Sequence, residues 1–393
     1  MSTSQRRGYP ITAWSLVNSL GTHTEEVVAG LRRGLPAFTG PPAETNFSAV
    51  CGAVTPELPP LPDSLRDIDS RNNRFVQRGL AELGRALAAA RERWGAHRVG
   101  ICVGSSTAAM DDTERAYVRY TGTGSLPPGF DVFRQAAPEG LVRALRALTG
   151  FEGPSTVVSN ACASSGKAFA SAQRWLDAGF ADAVLVGGAD SLCQMTLRGF
   201  RALGLLSDEP TRPFSRERRG INIGEGAAFA LVERSGEGPR LLGAGESADA
   251  HHMSAPDPEG RGAQLAMQRA LEDAGVAASE IGHVNAHGTG TRLNDAMEAR
   301  AIRSVCGAAD PIVVSTKGYV GHTLGAAGAT EAVFALEALQ GGWTPASVGC
   351  EPLDTEIELD IPAESRDVDL RLVLSNSFAF GGSNVSLVFG APE

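Results

Sequence analysis

The chain has no long uninterrupted hydrophobic run, no C-x-x-C pair and no surplus of positive charge, and each absence closes off a class of function. After Met1 to Arg7, its first apolar stretch is broken by Pro10, Asn18 and Gly21. The sequence therefore predicts neither a signal peptide nor a membrane span. The six cysteines, at 51, 102, 162, 193, 306 and 350, are scattered. That disfavours a structural zinc site and a disulfide framework and suits a reducing interior, so a cytoplasmic protein is expected. Lys and Arg number 35 against 45 Asp and Glu, a net charge of −10, which argues against broad binding to nucleic acid or to an anionic membrane.

What is present points to a large folded protein. At 393 residues, 42% apolar and 20% charged, the chain has room for two or three packed units and a soluble surface. Glycine supplies 47 residues, about 12% against a usual ≈ 7%, so tight turns or close backbone approaches are numerous.

Short apolar runs bounded by Gly, Asn or Asp read as buried strands over 98–104, 155–159, 182–188, 226–232, 311–315, 371–375 and 384–389. Between several of them, residues 79–95, 163–178, 262–274 and 325–340 repeat apolar side chains three and four apart, with charged groups on the other side, and read as helices. Alternating strand and helix predicts an α/β class with much of its sheet buried. Residues 40–64 and 234–240 read as exposed connectors. A boundary near 240 divides the chain into 1–240 and 241–393, two halves that share a loose theme of strand, small-residue turn and helix.

Four elements carry candidate chemistry. In Ser159-Asn160-Ala161-Cys162-Ala163-Ser164-Ser165-Gly166 a strand runs into a helix with a cysteine near its start. Unsatisfied N–H groups there favour a thiolate, although an inert buried thiol fits as well. Asn285 to Thr291 (NAHGTGT) places His287 on a sharp turn beside the hydroxyls of Thr289 and Thr291. A structural histidine and helix-capping threonines are the plainer alternative. In Ser315 to Gly328, Lys317 ends a strand, His322 begins a small-residue helix, and Glu331 lies where it can pair with the lysine; alone, such a lysine is usually just solvated. Asn376 to Asn384 holds Gly381 and Gly382, whose backbone amides can face a bound oxygen. The same run holds Phe378 and Phe380, which wall a channel or simply fill the core. All four lie at ends of expected buried strands, where open α/β sheets collect ligands. Together they describe acyl transfer: a thiolate to accept the acyl group, imidazoles to polarise a carbonyl, and amides to hold an oxyanion.

With these residues in the order Cys, His, Lys-His and Gly-Gly, the chain resembles the elongating β-ketoacyl-acyl-carrier-protein synthases of the thiolase superfamily. The resemblance runs from about residue 9 nearly to the end. It rests on NACASS at 160–165, RPFSRERRGINIGEGAA at 212–228, NAHGTGT at 285–291, STKGYVGHTLGAAGATE at 315–331 and NSFAFGGSN at 376–384. It implies a five-layered αβαβα fold with two pseudo-repeated halves, each contributing one mixed sheet, and a tight dimer, homodimeric or heterodimeric with a ketosynthase-like chain-length factor. By the same resemblance Cys162 takes the acyl chain, with the amides of Cys162 and Phe380 as oxyanion hole. His287 and His322 stabilise the enolate left by decarboxylation of a malonyl thioester, and Lys317 paired with Glu331 orients the group. Phe380 gates the acyl pocket, moving on Gly381 and Gly382, and Phe200 lines it, while Thr289 and Thr291 hold the pantetheine arm. Substrates arrive as phosphopantetheine thioesters on an acyl carrier protein; no metal and no further cofactor are implied. Because carrier proteins are acidic, Arg201, Arg212, Arg216, Arg218 and Arg219 are expected to form a basic entrance, with an intramolecular ion pair or a solvated face the plainer alternative for any one of them.

Two departures bear on the pathway. The opening strand reads Ile11-Thr12-Ala13-Trp14-Ser15 instead of a glycine-rich run, and Ser215 stands where an aspartate often follows Pro-Phe. Ser70 to Asn73, Arg219 to Glu225 and Asp249 to Pro256 look more like ketosynthases of aryl-polyene and related type II polyketide systems than of primary fatty-acid elongation. Other readings fit less of the chain. A thiolase needs a second cysteine in a C-x-G context, which Cys350 lacks; an initiating synthase pairs its cysteine with one histidine and an asparagine. A non-catalytic chain-length factor usually lacks the cysteine, and a cysteine hydrolase has no use for Lys317 and His322.

Overall fold

A computed structural model describes residues 8–392, without the side chains at 133 and 134, so the expectation for Met1 to Arg7 lies outside the described residues. Ten strands form the main sheet system: β1 (Tyr9–Val17), β2 (Val99–Gly104), β3 (Ser155–Val158), β4 (Ala183–Asp190), β5 (Gly226–Glu233), β6 (Arg240–Ala248), β7 (His283–Asn285), β8 (Ile312–Val314), β9 (Leu372–Ala379) and β10 (Ser383–Gly390). Eight helices frame them: α1 (Arg71–Trp94), α2 (Met110–Thr123), α3 (Glu139–Thr149), α4 (Ser164–Asp177), α5 (Gln194–Ala202), α6 (Arg261–Ala274), α7 (Arg292–Cys306) and α8 (Ala327–Gly341).

The spatial strand order is β8-β7-β9-β10-β6-β1-β5-β4-β2-β3. Among the described residues the only pairs between β6 and β1 are Tyr9 with Leu241 and Pro10 with Arg240, so the system divides there into two five-stranded sheets. Counted in chain order within its half, each sheet runs third, second, fourth, fifth, first. Each has its first three pairs from that third-strand edge parallel, parallel and antiparallel, and then closes antiparallel on the first strand. The connections match too. β1-α1-β2-α3-β3-α4-β4-β5 repeats as β6-α6-β7-α7-β8-α8-β9-β10, with α2, α5 and a further short helix over Thr24–Arg32 as insertions peculiar to the first half.

α4 and α8 touch strands of both sheets, whereas α1 and α3 pack outside the first sheet and α6 outside the second, with α7 against it. The result is five layers, αβαβα. Every residue of β2, β4 and β5 is buried, which is why these strands read as continuous apolar runs and not as alternation. The central helices replace bulk with closeness: a Cβ at Gly328 would stand 2.7 Å from the backbone nitrogen of Gly166, and Ala329 N–H donates to Ser165 Oγ at 2.8 Å. The 325–340 pattern is not amphipathic in the fold. Apart from Glu337 and the C-terminal turn, α8 is buried on all sides, as a helix apolar all round must be.

Three expectations change. Residues 40–64 are not simply an exposed connector, because Ala49, Cys51, Val54, Leu58 and Leu61 are buried and Cys51–Gly52 pairs with Ile223–Gly224. Lys317 does not end a strand but opens a short helix, Lys317–Val320, after Ser315 and Thr316 have led out of β8. Strand β6 was not anticipated: its inward positions include Gly243 and Gly245, which supply no apolar signal. Their missing side chains admit α6, since a Cβ at Gly245 would stand 2.0 Å from the carbonyl oxygen of Ala266. Gly245→Ala should therefore push α6 outward and lower stability by about 1–3 kcal/mol, measured as a reduced denaturant midpoint. An unchanged midpoint would contradict this packing.

Candidate active site

Cys162 sits where β3 turns into α4. The turn is tight enough to hold Ala161 at φ 44°, and Ser164 secures it by accepting from Asn160 N–H at 2.8 Å and donating to Ala161 O at 2.6 Å. The backbone N–H groups of Phe380 and of Cys162 itself face the sulfur. Burial dominates its acidity: the thiol is pushed up to about 11, against the opposing pull of Lys317 and the two amides. The resting sulfur is therefore a thiol, where helix geometry alone suggests a thiolate.

His287 follows β7 on a loop stapled by a residue the motifs did not single out. Glu298, fully buried on α7, accepts His287 N–H and Gly288 N–H at 2.7 Å each. One turn earlier Asp295 accepts Gly290 N–H at 3.1 Å and Phe214 N–H at 2.8 Å. Burial raises Asp295 to about 6 and Glu298 to about 7. The available signal was two carboxylates three apart, hence on one helix face, immediately after the histidine loop.

His322 is placed by its backbone, whose N–H donates to Asn222 O at 2.8 Å and whose carbonyl accepts Gly224 N–H at 2.9 Å. The Asn222-Ile223-Gly224 segment thus serves as its cradle. Both ring nitrogens are buried without a hydrogen-bond partner among the described residues. The two imidazoles stand nearly perpendicular, with centroids 5.2 Å apart and planes at 83°. Cys162 Sγ and one nitrogen of each ring lie within 4.8 Å of one another. Sulfur and two imidazoles are also donors a soft divalent ion would take, but the Lys317 ammonium alongside opposes a cation there.

Lys317, 2% exposed, donates a short hydrogen bond to Glu331 and lies 3.4 Å from His287 Nδ1. Nδ1 must accept from an ammonium, so the His287 proton resides on Nε2. Desolvation, with Lys317 next, holds both histidines well below their ordinary pKa. They are neutral, each with one N–H to offer; the lone pair of His287 faces Lys317, and that of His322 is open to a proton.

A cavity of about 450 Å³ opens onto this cluster. Phe200, Phe378, Phe380, Gly381, Gly382, Thr289 and Thr291 all line it with the cysteine and both histidines, whereas Lys317 and Glu331 stand behind. Phe200 and Phe380 stack at 5.4 Å, Phe378 lies 6.1 Å from His287, and the two threonine hydroxyls are bonded at 2.9 Å. The basic entrance is corrected in two places. Arg218 is buried against Asp354 at 2.5 Å and donates to Ser215 O at 2.7 Å, an internal staple. Arg212 is drawn inward to the carbonyls of Gly349 and Glu351 and to Glu217. Arg201, Arg216 and Arg219 remain exposed, and Arg292, which sequence reasoning passed over, joins Arg219 in the cavity wall.

A raised thiol pKa fixes the sign of one test. Alkylation of Cys162 by iodoacetamide should keep accelerating above pH 9, and Lys317→Ala, which removes a charge favouring the thiolate, should slow it severalfold. A plateau below pH 8 would contradict the buried, protonated sulfur.

Comparison with known proteins agrees with the motifs. The family description "Beta-ketoacyl synthase, N-terminal domain" matches residues 11–237 and "Beta-ketoacyl synthase, C-terminal domain" matches 240–351. Nodulation protein E of Rhizobium meliloti (strain 1021) is 33% identical, covering 96% of this chain and 98% of that protein. 3-oxoacyl-[acyl-carrier-protein] synthase 2 of Coxiella burnetii is 31% identical, covering 98% of each. Among solved structures, the ketosynthase ApeO in complex with its chain length factor ApeC from Xenorhabdus doucetiae superposes with a TM-score of 0.92 at 36% identity over 100% of both chains. Motifs, layered fold and both matched halves agree: the chain belongs to the β-ketoacyl synthase family of acyltransferases.

Proposed function

We propose that this chain joins carbon to carbon by decarboxylative condensation, with Cys162 as nucleophile and His287 and His322 as paired donors. The observation that carries the assignment is one sulfur and two neutral imidazoles within 4.8 Å of one another at the floor of a cavity. In the loading step the Cys162 proton passes to the unprotonated ring nitrogen of the neutral His322 while sulfur attacks the acyl carbonyl. The oxyanion forms against the amides of Cys162 and Phe380. The carrier's pantetheine thiol departs with the proton, leaving acyl-cysteine and a neutral His322.

In the second step the thioester carbonyl of a malonyl unit accepts hydrogen bonds from His287 Nε2–H and the His322 N–H. The carbon–carboxylate bond breaks, carbon dioxide leaves and the electron pair becomes an enolate whose charge rests on that oxygen. Its carbon attacks the acyl-cysteine, the C–S bond breaks with its electron pair returning to the Cys162 sulfur, a β-ketoacyl thioester two carbons longer is released, and the thiolate takes a proton from water to restore the thiol. Neutral donors suit this step because the charge develops only as reaction proceeds. Glu298 and Lys317 act by holding His287, and Thr289 and Thr291 face the path of the pantetheine arm. The substrates carry their own phosphopantetheine, and the proposed steps call on no other cofactor.

The acyl carrier protein is proposed to dock over Arg201, Arg216, Arg219 and Arg292. A second ketosynthase-like subunit is proposed to cover the exposed Tyr117, Val118 and Tyr120 of α2 and the outer edge of β3, which has no strand neighbour among the described residues. Similarity to a ketosynthase solved with its chain length factor supports a type II polyketide or aryl-polyene pathway over primary fatty-acid elongation. Six free, buried cysteines suit a reducing cytoplasm as its setting.

Incubation with malonyl carrier protein and an acyl donor should release carbon dioxide and yield a longer ketoacyl product; free acid alone would indicate hydrolysis. Cys162→Ala should abolish covalent acyl label, and His287→Ala should retain label while condensation falls about 10²–10³-fold. Condensation at the wild-type rate in either variant defeats the assignment. Charge reversal at Arg219 and Arg292 should raise the KM for carrier-bound substrate severalfold at low salt and less at high salt, and an unchanged KM at low salt would discard the docking surface.

A further inference from the structure

Helix α5 carries Phe200, whose ring rests on Phe380 at 5.4 Å, and the N–H of Phe380 faces the Cys162 sulfur. The helix has nine residues and no side-chain cap of its own: Cys193, at the N-cap, accepts no backbone N–H of the first turn on its side chain and meets only the Thr196 hydroxyl, at 3.3 Å from Sγ and 3.0 Å from its carbonyl oxygen. The missing cap comes from another element. Glu114, on α2, accepts Gln194 N–H at 2.8 Å and Met195 N–H at 2.5 Å, one carboxylate oxygen to each. Neither helix has a counterpart in the second half of the fold, so this contact belongs to the inserted structure and not to the common scaffold.

Resting on the condensing function above, we infer that Glu114 is a specificity-determining positioning residue: by capping α5 from α2 it holds Phe200 against Phe380 and so sets which acyl chains the pocket accepts. A short helix with its first N–H groups unpaired frays, and its remaining anchors are few. Gln194 Nε2 donates to Thr45 at 2.7 Å, and Arg201 lies over Phe47 at 4.2 Å. The rest of the helix buries only Leu197. A carboxylate is suited to the cap because both oxygens accept and its charge complements the helix N-terminus. Glu114 shares α2 with Tyr117, Val118 and Tyr120, so a subunit seated on those side chains bears on the same helix that positions the wall of the acyl pocket.

The test compares kcat/KM for a short and a medium-chain acyl donor in wild type, Glu114→Ala and Glu114→Gln, with thermal melting in parallel. Glu114→Ala should bring the ratio between donors at least fivefold closer to one, because Phe200 is no longer held in place. Glu114→Gln keeps one oxygen acceptor and should fall between. If Glu114→Ala does not fold, Glu114→Gln decides. A lowered melting temperature with an unchanged ratio in the folded variants would reduce Glu114 to a structural cap and overturn the inference. A wild-type protein that condenses neither donor would instead defeat the functional assignment itself.

Discussion

The close crossing of α4 and α8 is what assembles the active site. Where Gly166 and Gly328 meet, a single added carbon would stand 2.7 Å from backbone, so the two helices approach more nearly than any pair with side chains there could. Each helix belongs to one of the repeated halves, and each is entered through a turn that carries chemistry: Cys162 before α4, Lys317 and His322 before α8. Bringing the helices together brings the turns together. His287 then enters from the strand beside β8, and the Phe380 amide from the end of β9, which pairs with that same strand.

Burial is the second constraint, and it works through protonation. A layer with sheets on both faces keeps water from the ionisable groups, so the two imidazoles are neutral, the thiol is protonated and Glu331 is raised to about 7 against the pull of its partner lysine. Charge is thereby withheld until substrate supplies it. Donors that carry no charge at rest can meet an oxyanion without first being stripped of a counter-ion, and Lys317, fixed by Glu331, is near enough to hold one tautomer of His287. The carboxylates of Glu298 and Asp295 do comparable work on the backbone, each accepting two N–H groups of the buried turns around the histidine loop.

Legibility followed the kind of interaction. Strands buried on both faces left continuous apolar runs, so β2, β4, β5 and β10 could be read with small errors at their ends. β6 could not, because its inward face uses glycine to admit a helix. The motifs around Cys162, His287, His322, Lys317 and Phe380 were legible as motifs. Which arginine of the run is held in an internal ion pair was not legible, because Arg218 looks like its neighbours until Asp354, 136 residues away, closes on it. Glu298 and Arg292 passed unnoticed for the related reason that nothing local distinguishes a helix carboxylate or guanidinium that faces a site from one that faces solvent.

Read along the chain alone, most of the buried strands, the candidate acyl-transfer motifs and the resemblance to a family are legible, because periodicity and short motifs are properties of neighbouring residues. Folding in three dimensions was needed to settle which groups are neutral, which arginines still face solvent and what Phe380 rests against. Those properties depend on desolvation and on contacts between residues far apart in the chain, and no local pattern records them.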